Sequence, residues 1–248
     1  MTHHCRRVPG TTPLVLLHGL GADRRQVLGL PWDEALANRT VLAPDLDGRD
    51  FDSMADEVLA LVDHLRLPRD FLVFGISMGA GVAVRLALRD PGAVRAAICV
   101  RPAWLHEPHP PNLDVLRTVA DHLDGTSPDA FTSSQPYRTM YVHAPEAAMA
   151  LLSSFEAPDP GRLADLLRTV PASVPYDRPE SLAKVRCPVL VLGNEEDPLH
   201  PIAIARTWAN RMRHAKFAPL PPRYRHPRHH ATALIQHTVD FIGALDAP

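Results

Sequence analysis

The chain has 248 residues, 46% of them hydrophobic and 22% charged, enough apolar material for one α/β domain with a sizeable core or for two small domains. Its net charge of −2 offers no basic surface to nucleic acid or an anionic membrane, and no run approaches the ~20 apolar residues of a membrane span. Cys5, Cys99 and Cys187 lie too far apart for a disulfide framework or a zinc set, and Met1 to Arg7 lacks the apolar core of a signal peptide, so a cytoplasmic protein is expected.

In chain order, the first strong element is the apolar run 14–17, which leads straight into His18-Gly19-Leu20-Gly21. Residues 40–43 form a second such run. A helix follows, with Ser53 and Asp56 read as a capping box and Met54, Val58, Leu61 and Leu65 on one face. The run 71–74 comes next, then Gly75-Ile76-Ser77-Met78-Gly79, then a helix rich in Gly and Ala over 78–89. Residues 96–100 and 189–192 complete a set of five short runs that are apolar throughout rather than alternating. That pattern belongs to parallel strands buried on both faces, and strand–helix–strand alternation predicts an α/β fold.

From 102 to 184 the rhythm breaks. Prolines, aromatics and helical patches at 112–123 and 160–170 occur there without a convincing strand. Such a stretch is too long for a plain connection, so it is read as a helical cap, leaving 1–101 and 185–248 as the core. Trp104, Leu105, Phe131, Tyr137 and Phe155 are its expected contribution to a pocket wall, and an ordinary structural subdomain is the alternative. Beyond 189–192, Pro201 opens a helix carrying Ile202, Ala205, Trp208 and Met212. Residues 216–220 make a weaker strand whose Pro219 suits a sheet edge, and the last helix carries Leu234, Ile235, Phe241 and Ile242.

The chemistry starts at Gly75-Ile76-Ser77-Met78-Gly79. Between a strand and a helix, G-x-S-x-G makes a turn so tight that residues flanking the serine must lack bulk, and it lifts the Ser77 hydroxyl to the positive end of the helix. Acyl transfer also builds negative charge on a carbonyl oxygen. The backbone N–H groups of Met78 and Leu20 are the candidate donors for it. His18, at a strand end before glycine, is read as a loop-ordering residue rather than a reactive one. Arg101, at the strand edge where ligands collect, either reads a substrate carboxylate or makes an internal salt bridge to the cap.

His18-Gly19, Gly75-Ile76-Ser77-Met78-Gly79 and Asp197-Pro198-Leu199-His200-Pro201, in that order, together with Ala43-Pro44-Asp45-Leu46-Asp47-Gly48, resemble the α/β-hydrolase family. The resemblance implies an eight-stranded, mostly parallel sheet flanked by helices, with the usual opening hairpin absent or reduced here. It also implies a Ser-His-Asp triad. Asp197 best matches the family's acid through its following prolines, while Glu195 and Glu196 suit a solvated loop. The family's Gly-His is missing, and His226, His229 and His230 compete for the base. His226 is preferred, because Pro227 should begin the last helix and keep His226 outside it.

The resulting expectation is a serine hydrolase with Ser77, Asp197 and His226, acting on a small ester or related acyl substrate without metal or cofactor. A biosynthetic enzyme for cyclisation or acyl transfer, and a binding protein with a decayed triad, are the competing readings. The substrate and the oligomeric state stay open.

Overall fold

The computed structural model describes residues 2–246 except 124 and 126. Its elements are β1 (His3–Arg6), β2 (Leu14–Leu17), α1 (Arg24–Leu28), β3 (Val41–Pro44), α2 (Phe51–His64), β4 (Phe71–Ile76), α3 (Met78–Arg89) and β5 (Val94–Val100). Then come α4 (Asp114–Leu123), α5 (Pro128–Thr132), α6 (Gln135–His143), α7 (Pro145–Ala150) and α8 (Pro160–Thr169), followed by β6 (Val189–Asn194), α9 (Ile202–Arg211), β7 (Ala215–Leu220) and α10 (Pro227–Asp246).

The strands form one seven-stranded sheet in the order β1-β3-β2-β4-β5-β6-β7, parallel except for β1, which pairs antiparallel with β3. β1 is the strand that hydropathy does not reveal. His3, His4 and Arg6 are exposed at the sheet edge, so no apolar run marks it. It stands where an opening hairpin was expected to be absent or reduced, and the sheet has seven strands rather than eight.

The continuous apolarity of the inner strands has a direct cause. Val15, Leu17, Val73, Val189 and Val191 face one core, shared with Met54 and Val58 of α2, Leu86 of α3 and Trp208 of α9. Leu14, Leu16, Leu72, Phe74 and Leu192 face a second core, shared with Val27 of α1 and Leu234, Ile235 and Ile242 of α10. Successive side chains point to opposite faces, and both faces are covered. β7 lies at the far edge and carries Pro219, which can donate nothing to a further strand.

The capping box at α2 differs in its members from the sequence reading. Asp50 is the N-cap, accepting from the Ser53 N–H, while Ser53 Oγ accepts from the Asp50 N–H. Asp56 instead pairs with Arg89 of α3. Pro201 also sits one position earlier than expected, as the N-cap of α9.

Among the described residues, the segment between β5 and β6 is helical and contains no strand. It builds a third core from Val119, Phe131, Tyr137, Leu151, Leu163 and Leu167, among others. Leu20, Leu199 and Tyr224, from loops after β2, β6 and β7, pack against this core. The insertion therefore rests on the loop end of the sheet.

Candidate active site

Ser77 occupies the turn between β4 and α3 with φ 54° and ψ −110°, a left-handed conformation that a non-glycine residue enters at a cost of about 1–3 kcal/mol. Close backbone packing enforces it. A Cβ on Gly75 would fall 2.1 Å from the Gly79 carbonyl oxygen, and one on Gly79 would fall 2.4 Å from the Leu17 carbonyl oxygen. The Ser77 N–H donates to the Val100 carbonyl at 2.8 Å, tying the turn to the end of β5.

The loop after β2 approaches the serine from the other side. A Cβ on Gly19 would lie 3.6 Å from Ser77 Cβ. The Gly19 N–H is taken by Gln26 Oε1 at 2.8 Å. Among the described residues the next N–H, that of Leu20, has no partner, and the same holds for Met78 at the first position of α3. His18 orders this region. Its Nδ1–H donates to the Gly19 carbonyl at 2.9 Å and its Nε2 accepts from the Leu46 N–H at 2.9 Å, which joins the loops after β2 and β3. Burial lowers its pKa, and one ring nitrogen acts as acceptor, so the ring is neutral.

The imidazole that meets Ser77 is His200. Its Nε2 lies 2.9 Å from Ser77 Oγ, and its Nδ1 lies 3.0 Å from Asp197 Oδ1. Both groups belong to the loop after β6, one turn apart. The His200 N–H donates to the Asp197 carbonyl at 3.1 Å and to Oδ1 at 3.2 Å, so the carboxylate fixes both the backbone and the ring. With Nδ1–H directed at the carboxylate, Nε2 is left to accept the Ser77 hydroxyl proton.

His226 is elsewhere. Pro227 does begin α10, and His226 does precede it, yet its ring is exposed and stands beside that of His229, with 6.1 Å between centroids. Its backbone bonds the Pro222 carbonyl and the His230 N–H, the work of a helix start. His229 is exposed as well, and His230 is buried with Nδ1 2.9 Å from the Pro221 carbonyl. The signal for His200 was present in Asp197-Pro198-Leu199-His200-Pro201, where an acid and an imidazole stand three residues apart.

Charge completes the arrangement. Arg101, directly after β5, has φ 49°, is 5% exposed, and reaches Asp197 Oδ2 through one terminal nitrogen at 3.4 Å. Its ion pair is thus with the β6 loop and not with the helical insertion. Burial would raise the Asp197 carboxyl, but His200, Arg101 and Arg223 together hold it well below the usual carboxylate range. Burial lowers the His200 imidazole, reinforced by Arg101 and Arg223 and opposed by Asp197, so the ring is unprotonated at neutral pH. Glu195 and Glu196 are exposed, as a solvated loop requires.

Ser77 and His200 open into a cavity of about 240 Å³, walled by Trp104 and by Leu116, Leu151 and Leu163 of the insertion. It adjoins a larger one of about 470 Å³, lined by Met78, Gln26 and Arg162, and the two share Leu20, Ser153 and Leu163. Of the aromatics expected at this wall only Trp104 reaches it. Phe131 and Tyr137 fill the insertion's own core, with Phe155 packed against it, and Leu105 packs on the sheet core. Among the described residues no group of three or more His, Cys, Asp or Glu side chains stands close enough to hold a metal ion, and no helix is long and apolar enough to cross a membrane.

A family model described as alpha/beta hydrolase family matches residues 14–239. The chain belongs to the α/β hydrolase family. It is 28% identical over 222 residues, 80% of either chain, to a protein of Pseudomonas savastanoi pv. phaseolicola named "Putative carbamate hydrolase RutD". A protein of the same name from Caulobacter is 28% identical over 172 residues, where the match spans 66% of this chain and 61% of that relative. Among solved structures, MenH from S. aureus superposes with a TM-score of 0.75 at 18% identity, covering 99% of each chain. A thermophilic esterase from Thermogutta terrifontis gives 0.72 at 19% identity, covering 99% of this chain and 94% of the other. At those identities the structural likeness is one of fold.

Proposed function

We propose that the protein hydrolyses an ester or related acyl compound through an acyl-enzyme on Ser77. His200 serves as general base, Asp197 as its carboxylate partner, and the Leu20 and Met78 N–H groups as oxyanion donors. The observation that carries this reading is the 2.9 Å contact between His200 Nε2 and Ser77 Oγ, backed by the 3.0 Å contact between Nδ1 and Asp197.

His200 takes the hydroxyl proton as Ser77 Oγ attacks the acyl carbon, and the carbonyl oxygen becomes an oxyanion between the two backbone donors. The imidazolium, stabilised by Asp197, then returns the proton to the leaving group. Water repeats the cycle on the acyl-enzyme and releases the acid. An esterase among the neighbours of like fold and relatives named for carbamate hydrolysis support an acyl bond as target. The missing Gly-His was the ground for a decayed triad, and the His200 imidazole 2.9 Å from Ser77 Oγ supports an intact one. We assign the insertion the role of a cap. Arg162 of α8 pairs with Asp47, and Arg49 pairs with Asp165 of α8 at 2.9 Å, so two ion pairs join it to the loop after β3.

A fluorophosphonate probe followed by peptide mapping tests the nucleophile. Ser77 is expected to carry the label, and Ser77→Ala to lower aryl-ester turnover about 10⁴-fold or more with an unchanged unfolding curve. Turnover by Ser77→Ala at the parent rate overturns the mechanism.

A further inference from the structure

The cavity around Ser77 has an unbalanced charge. Among the described residues, two arginines line it, Arg101 and Arg223, and no carboxylate does. Asp197 lies behind His200 with its side chain fully buried, and among the described residues it is the carboxylate that pairs with Arg101. Glu196, the acid immediately before Asp197 in the chain, is already paired with Arg225 at 2.6 Å. Arg223 is half-buried, lies over the Tyr224 ring at 5.2 Å, and has no carboxylate partner among the described residues.

Arg101 is also incompletely satisfied. Its one contact to Asp197, at 3.4 Å, is long for a charge-assisted hydrogen bond, and its Nε is buried without an acceptor. A guanidinium 5% exposed is costly to bury unless its charge is matched. With His200 neutral, Arg101, Arg223 and Asp197 sum to one excess positive charge beside the reacting serine.

From this we infer that the enzyme's substrate carries a carboxylate, which Arg223 and Arg101 bind beside Ser77. The inference rests on the proposed hydrolase and names its substrate class: a small acyl compound with an anionic group a few atoms from the scissile bond. An anion there would neutralise the excess charge and give Arg223 the planar, two-donor partner for which guanidinium is suited. Arg101 has the further role of holding Asp197, so Arg223 is the residue whose change reads the substrate contact more cleanly.

Two measurements on the full chain test it. Calorimetry compares glutarate with glutaramide, its uncharged counterpart, and kinetics compare the 4-nitrophenyl monoester of adipic acid with 4-nitrophenyl hexanoate. Glutarate is expected to bind at least tenfold more tightly than glutaramide, and the adipate ester to show the higher kcat/KM. Arg223→Glu should remove both preferences, whereas Arg225→Met, an exposed change outside the cavity, should leave them. Equal binding of the two ligands, or a preference that survives Arg223→Glu, overturns the proposal. Because binding needs no turnover, a protein that prefers glutarate yet hydrolyses neither ester would sink the hydrolase reading and keep this one. Hydrolysis of both esters with no preference for charge would do the reverse.

Discussion

Two loops meet at the loop end of the sheet, and they hold their residues by different means. The turn after β4 fixes Ser77 by backbone contact. Gly75 and Gly79 pack against carbonyl groups at distances no Cβ tolerates, and no side chain caps the turn. The loop after β6 fixes His200 by side-chain hydrogen bonds and charge, through Asp197 Oδ1, while Arg101 holds the other oxygen of that carboxylate. The first arrangement is steric and indifferent to pH. The second is electrostatic, and each member depends on the protonation of the others.

The largest expected effect breaks the second loop at its centre. His200→Ala should lower kcat/KM on an aryl ester about 10³-fold or more, because no other imidazole contacts Ser77 among the described residues. His226→Ala, on the exposed start of α10, should cost under about threefold by the same principle. The reverse ranking, measured on the same ester, would return the base to His226.

This contrast also explains what the amino-acid sequence discloses. The elbow is a local object: Gly-x-Ser-x-Gly between an apolar strand and a helix needs those residues whatever lies around it, and Ser77 could be singled out from five letters. The strands were legible for a similar reason, since burial on both faces writes itself as an unbroken apolar run. The proposed base is a long-range object. His200 and Ser77 are 123 residues apart, and only the pairing of β4, β5 and β6 brings their loops together. Spacing along the chain favoured His226, which meets every local condition for a base and lacks the tertiary one. β1 was hidden for another reason: its edge position leaves its side chains exposed and polar.

The next effect tests the steric side. Gly75→Ala and Gly79→Ala each place a methyl group against backbone that cannot rotate away, so each should destabilise the fold by about 1–3 kcal/mol or more. Gly243→Ala is the control. Its Cβ would meet nothing within 4 Å inside α10, and alanine there should stabilise by up to ~1 kcal/mol. Urea unfolding midpoints decide the matter. If the elbow alanines unfold with the parent protein, close backbone approach is not what holds Ser77.

The smallest effect concerns His230 and sharpens the electrostatic side. Of the three histidines near the start of α10 it is the buried one, and its ring secures the Pro221 carbonyl at the head of the loop that carries Arg223 and Tyr224. Burial, with Arg101 adding to it, lowers the pKa of His230 from 6.5 to about 4. The folded protein therefore keeps the ring neutral while the unfolded chain takes up a proton below pH 6.5. The stability from the neutral ring is full above pH 6.5 and is lost as pH falls from 6.5 towards 4. Between pH 7 and 5.5 the loss from this one group is about 1 kcal/mol, or roughly 2–4 °C in Tm for a chain of this size. His18 and His200, also buried and lowered, add losses of the same sign, so the comparison must be with a variant and not with zero. His230→Gln keeps a donor for Pro221 and cannot titrate. Its Tm should fall less than the parent's over that interval, by the share that belongs to His230. Parallel Tm curves for the two proteins would mean that His230 is already neutral in both states or charged in both, and that the loop bearing Arg223 is held by packing alone.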